Sequence, residues 1–458
     1  MALEGEKKEM HVLMVAFSAQ GHINPMLRFG KRLVSKGLQV TFATNEVAQS
    51  NSFTKTVAGV HLEFFSDGLG LDYDRVANMD YYMETIGKFG PINLSALIQS
   101  HSKKFSCIIN NPFVPWVSDV AAKHEIPCAM LWIQPCTLYA IYYRFYNNLN
   151  SFPTSENPQM NVELPGLPSL CTEDLPSFIL PSSSLSSFPK MLCGLFQDMK
   201  NLKWVLGNSF QELEADVIEA MDKIHPIWPI GPLVPSSLLG KEDETDEGVD
   251  LFKSEDTCIE WLNQQKPSSV IYISFGSLLT QTPKEIKSIA TALKRSGHPF
   301  LWVVKPSDSE SEESEGTMPL QNDMGDQGLI VKWSPQTQVL AHPSVACFLS
   351  HCGWNSLSES ITAGVPIIAY PQWTDQPTNA KLVTDVLHIG VRLTKNQEGL
   401  LGSEEVEKCI QEIMSGPRSE EYKINAAKLK QAAREAVADG GSSDRNIQLF
   451  VDEIIGNC

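Results

Sequence analysis

The stretch from Trp333 to Gln376, WSPQTQVLAHPSVACFLSHCGWNSLSESITAGVPIIAYPQWTDQ, decides the fold. Within it, FLS (348–350) ends a short apolar run and HCGWNS (351–356) makes a Gly-containing turn. SLSESITAG (356–364) has the pattern of a helix, and VPIIAY (365–370) that of the next strand. A strand that turns straight into a helix aims backbone N–H groups and the positive end of the helix dipole at one point, where an anion can sit. The polar residues follow the order of a nucleotide sugar. Trp333 offers a flat ring for a base, and Gln336 and Glu359 can bond ribose hydroxyls. His351, Asn355, Ser356 and the local backbone can hold a diphosphate. Asp375 and Gln376, just past the strand, can accept from and donate to pyranose hydroxyls.

Outward from this stretch the chain alternates strand and helix. HVLMVAF (11–17) is a continuous apolar strand, followed by SAQGH, a helix with Pro25 early in its first turn, and the strand LQVTFAT (38–44). Such a β-loop-α-β start opens a doubly wound parallel sheet, whose ligands bind at the carboxyl ends of strands. FSCIINN (105–111), a helix over 115–124 and CAMLWI (128–133) continue it. SVIYISFGS (269–277) with the helix PKEIKSIATALKRSG makes a second start, followed by FLWVVK, LIVKW, CFLS and PIIAY. Between them IWPIGPLVP (227–235) is Pro-rich and KEDETDEGVD (241–250) is acidic, as befits a linker. The reading is α/β, with two Rossmann-like doubly wound domains facing a cleft.

The 44-residue stretch resembles the signature box of plant UDP-sugar glycosyltransferases. The likeness extends over nearly all of the chain, including QGHINP (20–25), NNPFVPW (110–116), SFGS (274–277) and PQWTDQPTNAK (371–381). The subgroup most similar esterifies hydroxycinnamates and indole acetate, and includes look-alikes with C-glycosylating activity. The resemblance implies the GT-B architecture. Residues 1–238 form the acceptor domain, 239–256 an acidic linker and 257–441 the UDP-sugar domain. A C-terminal helix within 442–458, roughly Arg445 to Ile455, braces the first domain. Ser277, Ser334, Gly353, Trp354 and Trp373 join the donor set. Glutamine at 376 accompanies glucose in this family, so UDP-glucose is the expected donor.

His22 falls in the loop after the first strand, where the family has its general base. An imidazole that titrates near ~6.5 is partly neutral at pH 7 and can take a proton from a hydroxyl. Most members orient this base with an aspartate; the aligned residue here is Asn111. An amide oxygen can take the imidazole N–H but cannot stabilise an imidazolium as a carboxylate would. A carboxylic acid, already ionised with a pKa near ~4–5, needs no base and gains from a site without a second carboxylate. The expected product is therefore a glucose ester of an aromatic acid, or a phenolic glucoside. C-glucosylation is an alternative, and a non-catalytic nucleotide-sugar sensor another. Phe17, Phe113, Trp132, Gln134 and part of the aromatic run YAIYYRFY (139–146) are candidates for the acceptor wall, with Gln134 also within reach of the sugar. Asp119 is a weaker candidate partner for His22, better placed to face solvent or a neighbouring helix.

Composition narrows the rest. A net charge of −18 argues against nucleic acid or an anionic membrane as partner. Much of it is local: 241–256 and 305–315 together hold a net −10 and read as solvated loops. No apolar run is long enough for a membrane span or a signal peptide, so a cytoplasmic monomer is expected. Ten cysteines without metal-ligand spacing read as reduced thiols, and Cys352 as a small side chain fitted to a tight turn. No cofactor or metal is expected, and DYD (72–74) reads as a surface loop. A phosphorylase would need a cofactor lysine in the second domain, and a UDP-sugar epimerase of this shape would lack a ring contact like Trp333; neither pattern is evident.

Overall fold

The computed structural model describes residues 10–50, 56–57, 59–183, 187–240, 257–276, 281–304 and 324–456. Ser277 and the acidic stretches 241–256 and 305–315 lie outside them. The first lobe is built on β1 (His11–Val15), β2 (Gln39–Asn45), β3 (Thr56–Val57), β4 (Val60–Phe65), β5 (Cys107–Asn110), β6 (Cys128–Trp132), β7 (Leu202–Gly207) and β8 (Trp228–Pro229). They form one sheet in the order β3-β4-β2-β1-β5-β6-β7-β8, parallel except for the β3–β4 pair. The second sheet is wholly parallel, with β9 (Val270–Ser274), β10 (Phe300–Val303), β11 (Gly328–Val331), β12 (Val345–Ser350), β13 (Ile367–Ala369) and β14 (Gly390–Arg392) in the order β11-β10-β9-β12-β13-β14. β1, β6, β9 and β12 are buried on both faces, which is why they read as unbroken apolar runs. β4 and β7 escape a sequence reading because His61, Glu63 and Lys203 interrupt theirs.

In each sheet the chain order reverses beside the first strand. β1 lies between β2 and β5, and β9 between β10 and β12. The crevice at such a switch point is where parallel sheets bind ligands. The residues that leave these strands are Ala16 to Ala19 and Asn111 in the first lobe, and Phe275, Gly276 and His351 in the second.

Helix Gln20–Ser35 begins earlier than expected. Ala19 is its N-cap and His22 lies in its first turn, not in the preceding loop, so Pro25 sits inside the helix. A proline at this point lacks the N–H that would bond the carbonyl four residues back. That carbonyl belongs to Gly21, and it accepts instead from Asn355 Nδ2 of the second lobe at 3.0 Å.

The last helix, Ser442–Gly456, follows the second lobe in sequence but packs on the first. Phe450 joins the core beneath β1, meeting Trp204 edge to face at 5.3 Å, while Trp204 Nε1 donates to Glu453 at 2.7 Å. Among the described residues no helix is long and apolar enough to cross a membrane.

Pro25→Ala restores the missing donor. The helix gains up to about 3 kcal/mol of intrinsic preference, so its Tm should be no lower than wild type. Turnover should fall as the new N–H competes with Asn355 for the Gly21 carbonyl. Full turnover would show that the new N–H does not displace Asn355.

Candidate active site

At the first switch point His22 Nδ1 lies 2.9 Å from Asn111 Oδ1. The same oxygen accepts from the Phe113 backbone N–H at 3.0 Å, which fixes it as the oxygen and not the nitrogen of the amide. Nδ1 must then carry the hydrogen, leaving the Nε2 lone pair bare. Asn111 is fully buried. His22 is wedged between the rings of Phe113, at 4.4 Å, and Phe17, at 5.3 Å. Desolvation lowers the imidazole pKa to about 4, against a smaller upward pull from the Asn111 bond. At neutral pH the ring is uncharged and able to take a proton. Asp119 is not its partner: its carboxylate is exposed and accepts from Asn201 Nδ2 at 2.9 Å.

The second switch point faces this one. His351 leaves β12 into a turn that only glycine accommodates on either side. A Cβ on Gly276, whose φ is +74°, would meet the imidazole at 2.7 Å, and one on Gly353 at 2.5 Å. Cys352 adopts φ +66° between them, and its buried thiol has its pKa pushed up to about 12 by desolvation, which makes it a poor nucleophile. Helix Trp354–Ala363 starts here, so the N–H groups of its first turn have no partner within the helix. Asn355, on that turn, bonds the carbonyl next to His22.

Further along, Gln336 Nε2 donates to Ser356 Oγ at 3.0 Å and to Glu359 at 2.8 Å. Tyr272 OH bridges Ser334 at 2.9 Å and Gln336 at 3.3 Å. Ser334, Gln336, Ser356 and Glu359 thus form one network, with Trp333 partly exposed at its edge. At the other end of the turn the buried Asp375 accepts from Thr374 Oγ1 and Asn379 Nδ2, both at 2.7 Å. Desolvation raises its pKa and those two bonds pull it down. Gln376 Oε1 is held by the N–H groups of Gln372 and Trp373. Asn379 also donates to Cys352 O at 2.9 Å, tying the pair to the turn.

Two readings need correction. The Trp354 side chain does not face a ligand: its indole is buried with Phe210 and Leu213 and donates to Asn208 O of the first lobe at 2.8 Å, so it braces the lobes. Trp132 is likewise core, fully buried against Tyr139, Tyr142 and Phe196 with its N–H on Pro135 O. Gln134 is partly exposed at the carboxyl end of β6. Phe113 also lines a cavity of about 520 Å³ between helix Met79–Ser100 and helix Ser187–Gln197, walled by Met83, Ile86, Trp116 and Met191 with Lys190 among its polar groups. The DYD triplet is a turn, in which Asp74 accepts from the N–H groups of Val76 and Ala77. Among the described residues no three His, Cys, Asp or Glu side chains cluster as a metal site.

Tyr272, Thr374 and Asn379 are not singled out by the sequence. Asn379 lies in PTNAK, four residues past Asp375, a spacing that puts both on one helix face.

Two lobes whose largely parallel sheets face each other at their switch points, one with a glycine-flanked helix start and the other with a neutral imidazole, have the GT-B architecture of a glycosyltransferase. Residues 253–436 match the family described as "UDP-glucoronosyl and UDP-glucosyl transferase". The chain is 46% identical to UDP-glycosyltransferase 84B1 of Arabidopsis thaliana over 98% of both chains. It is 42% identical to gallate 1-beta-glucosyltransferase 84A24 of Punica granatum, over 98% of this chain and 90% of that one. The crystal structure of Os79 from O. sativa in complex with UDP superposes with a TM-score of 0.87 at 34% identity, covering 97% of this chain and 100% of that one. The chain belongs to the plant UDP-glycosyltransferases.

Glu359→Ala removes one of the three partners of Gln336, and should weaken UDP binding by about 1–3 kcal/mol in calorimetry. Unchanged affinity would take both side chains out of the nucleotide site.

Proposed function

We propose that the chain transfers glucose from UDP-glucose to the carboxylate of a small aromatic acid, inverting the anomeric centre to give a glucose ester. The observation that carries this reading is the neutral His22–Asn111 pair, in which an amide and not a carboxylate holds the imidazole. A buried aspartate ~4 Å from an incoming carboxylate would repel it by a few kcal/mol at an effective dielectric near ~20. Asn111 avoids that cost. The gallate glucosyltransferase relative supports the same acceptor class.

In the proposed step a carboxylate oxygen attacks the anomeric carbon from the His22 side as the bond to the UDP oxygen breaks, and UDP leaves with the electron pair. Trp333 stacks on the uracil, and Gln336 with Glu359 holds the ribose. The helix dipole at Trp354–Ala363, His351 and Ser356 offset the charge growing on the diphosphate, the role a divalent cation fills elsewhere. Asp375 and Gln376 fix the glucose hydroxyls. A phenol reacts by the same route but must surrender its proton to His22 Nε2. Phe17, Phe113 and Gln134 border the acceptor. All these groups belong to one chain, so a monomer suffices.

A panel of benzoic, cinnamic and indole-acetic acids beside flavonoid phenols, with mild alkaline treatment of products, tests the reading. Alkali-labile esters are expected. Efficient phenol glucosylation with the acids ignored would overturn it. His22→Ala should cost about 10²–10⁴ in kcat with phenols and clearly less with acids. Equal losses would remove the distinction.

The pH dependence has a definite sign. Because burial holds the His22 pKa at about 4, kcat/KM with a phenol should stay level well below pH 6.5 and fall only as pH drops through that lowered value. Asn111→Asp puts a negative charge on the Nδ1 side, favours the imidazolium and moves this acidic limb upward. It should also weaken ester formation while helping phenols. An unmoved limb would show that residue 111 does not set the charge of His22.

A further inference from the structure

Thr374 has a backbone that its side chain disfavours. It is β-branched and sits at φ +57°, a region such residues avoid. Its N–H donates to Ser177 Oγ at 2.8 Å, and its carbonyl accepts from the Ser177 N–H at 2.9 Å. Ser177 belongs to the first lobe. Thr374 in turn donates its hydroxyl to Asp375 Oδ1 at 2.7 Å. A residue of one lobe thus holds the unusual backbone that aims a carboxylate of the other.

The neighbourhood of Ser177 is tied down in the same way. Asp174 is 3% exposed and pairs across the cleft with Arg392 at 2.7 Å and Lys381 at 3.3 Å. Its carbonyl accepts from Thr378 Oγ1 at 2.7 Å, and Arg392 Nη2 donates to Glu173 O at 2.9 Å. Beyond Ser177, Phe178 stacks on Phe188 at 5.4 Å, and Phe188 meets Phe113 at 5.4 Å, the ring that touches His22. The stretch from Glu173 to Phe178 therefore touches the sugar end of one lobe and the acceptor wall of the other.

We infer that Ser177 is a positioning residue for the transferred sugar: by holding Thr374 it sets the Asp375 carboxylate, so the second lobe's sugar contacts take their geometry from the first. This rests on the reading of Asp375 as a ligand of the sugar. Ser177 itself touches neither substrate nor the reacting atoms. Its removal should therefore leave the nucleotide alone and disturb only the hexose.

The test is the ratio of the Kd for UDP to the Kd for UDP-glucose, measured by calorimetry on the full chain. Ser177→Ala strands the Thr374 N–H, and should lower this ratio about tenfold, with UDP affinity unchanged. Thr374→Val, which keeps the shape and loses the hydroxyl, should do the same. The double variant should lose no more than either alone, and Ser177→Thr, which keeps an oxygen, should retain most of the ratio. Asp375→Ala is the control. If it lowers the ratio and Ser177→Ala does not, the coupling is overturned while the sugar site stands. If Asp375→Ala leaves the ratio unchanged, the sugar reading fails and the inference with it. Equal weakening of UDP and UDP-glucose by Ser177→Ala would mark a merely structural role and also overturn it.

Discussion

A hydrogen bond of 3.0 Å, from Asn355 Nδ2 to the carbonyl of Gly21, joins the two halves of the site one residue from His22. Pro25, which cannot donate to that carbonyl, leaves it open to the other lobe. The glycine-flanked helix start of one lobe is thereby set beside the imidazole of the other. Backbone carbonyls inside a helix are normally consumed by the helix itself. Here a proline leaves one available at the lobe boundary, and the neighbouring lobe takes it.

The electrostatics of the cleft follow a similar economy. Asn111 and His22 form a neutral pair beside the rings of Phe17 and Phe113, with the tautomer fixed by the Phe113 N–H. Two charged groups of the same lobe are matched within it. Arg75 spends its guanidinium on Asp67, at 2.8 Å, and on the carbonyls of Gly70 and Tyr73. Glu214 spends its carboxylate on the N–H groups of Cys136 and Thr137, at the start of helix Cys136–Tyr146.

The sequence showed the outline of this arrangement because its signals are local. Buried parallel strands read as apolar runs, and the turn at 351–356 combines glycine, histidine and a helix start within six residues. Gln336 and Glu359 lie 23 positions apart, yet the strand–turn–helix unit between them is regular enough to place both. What stayed illegible depends on partners from the other lobe. Nothing near Trp354 in the chain says that its indole will reach Asn208, and nothing near Thr374 announces its bonds to Ser177. The start of helix Gln20–Ser35 was misplaced for the same reason: a proline counts as an early helix residue until a distant amide is known to satisfy the carbonyl it abandons.

The helix Ser442–Gly456 carries a consequence for the birth of the molecule. Its Phe450, Ile447 and Val451 complete the apolar layer under β1, beside Phe29 and Trp204. While the ribosome is still making the second lobe, that layer lacks its cover and presents greasy surface to the cell. The amino-terminal half therefore reaches its full apolar layer only once this helix has been made, although domains often fold in order of synthesis.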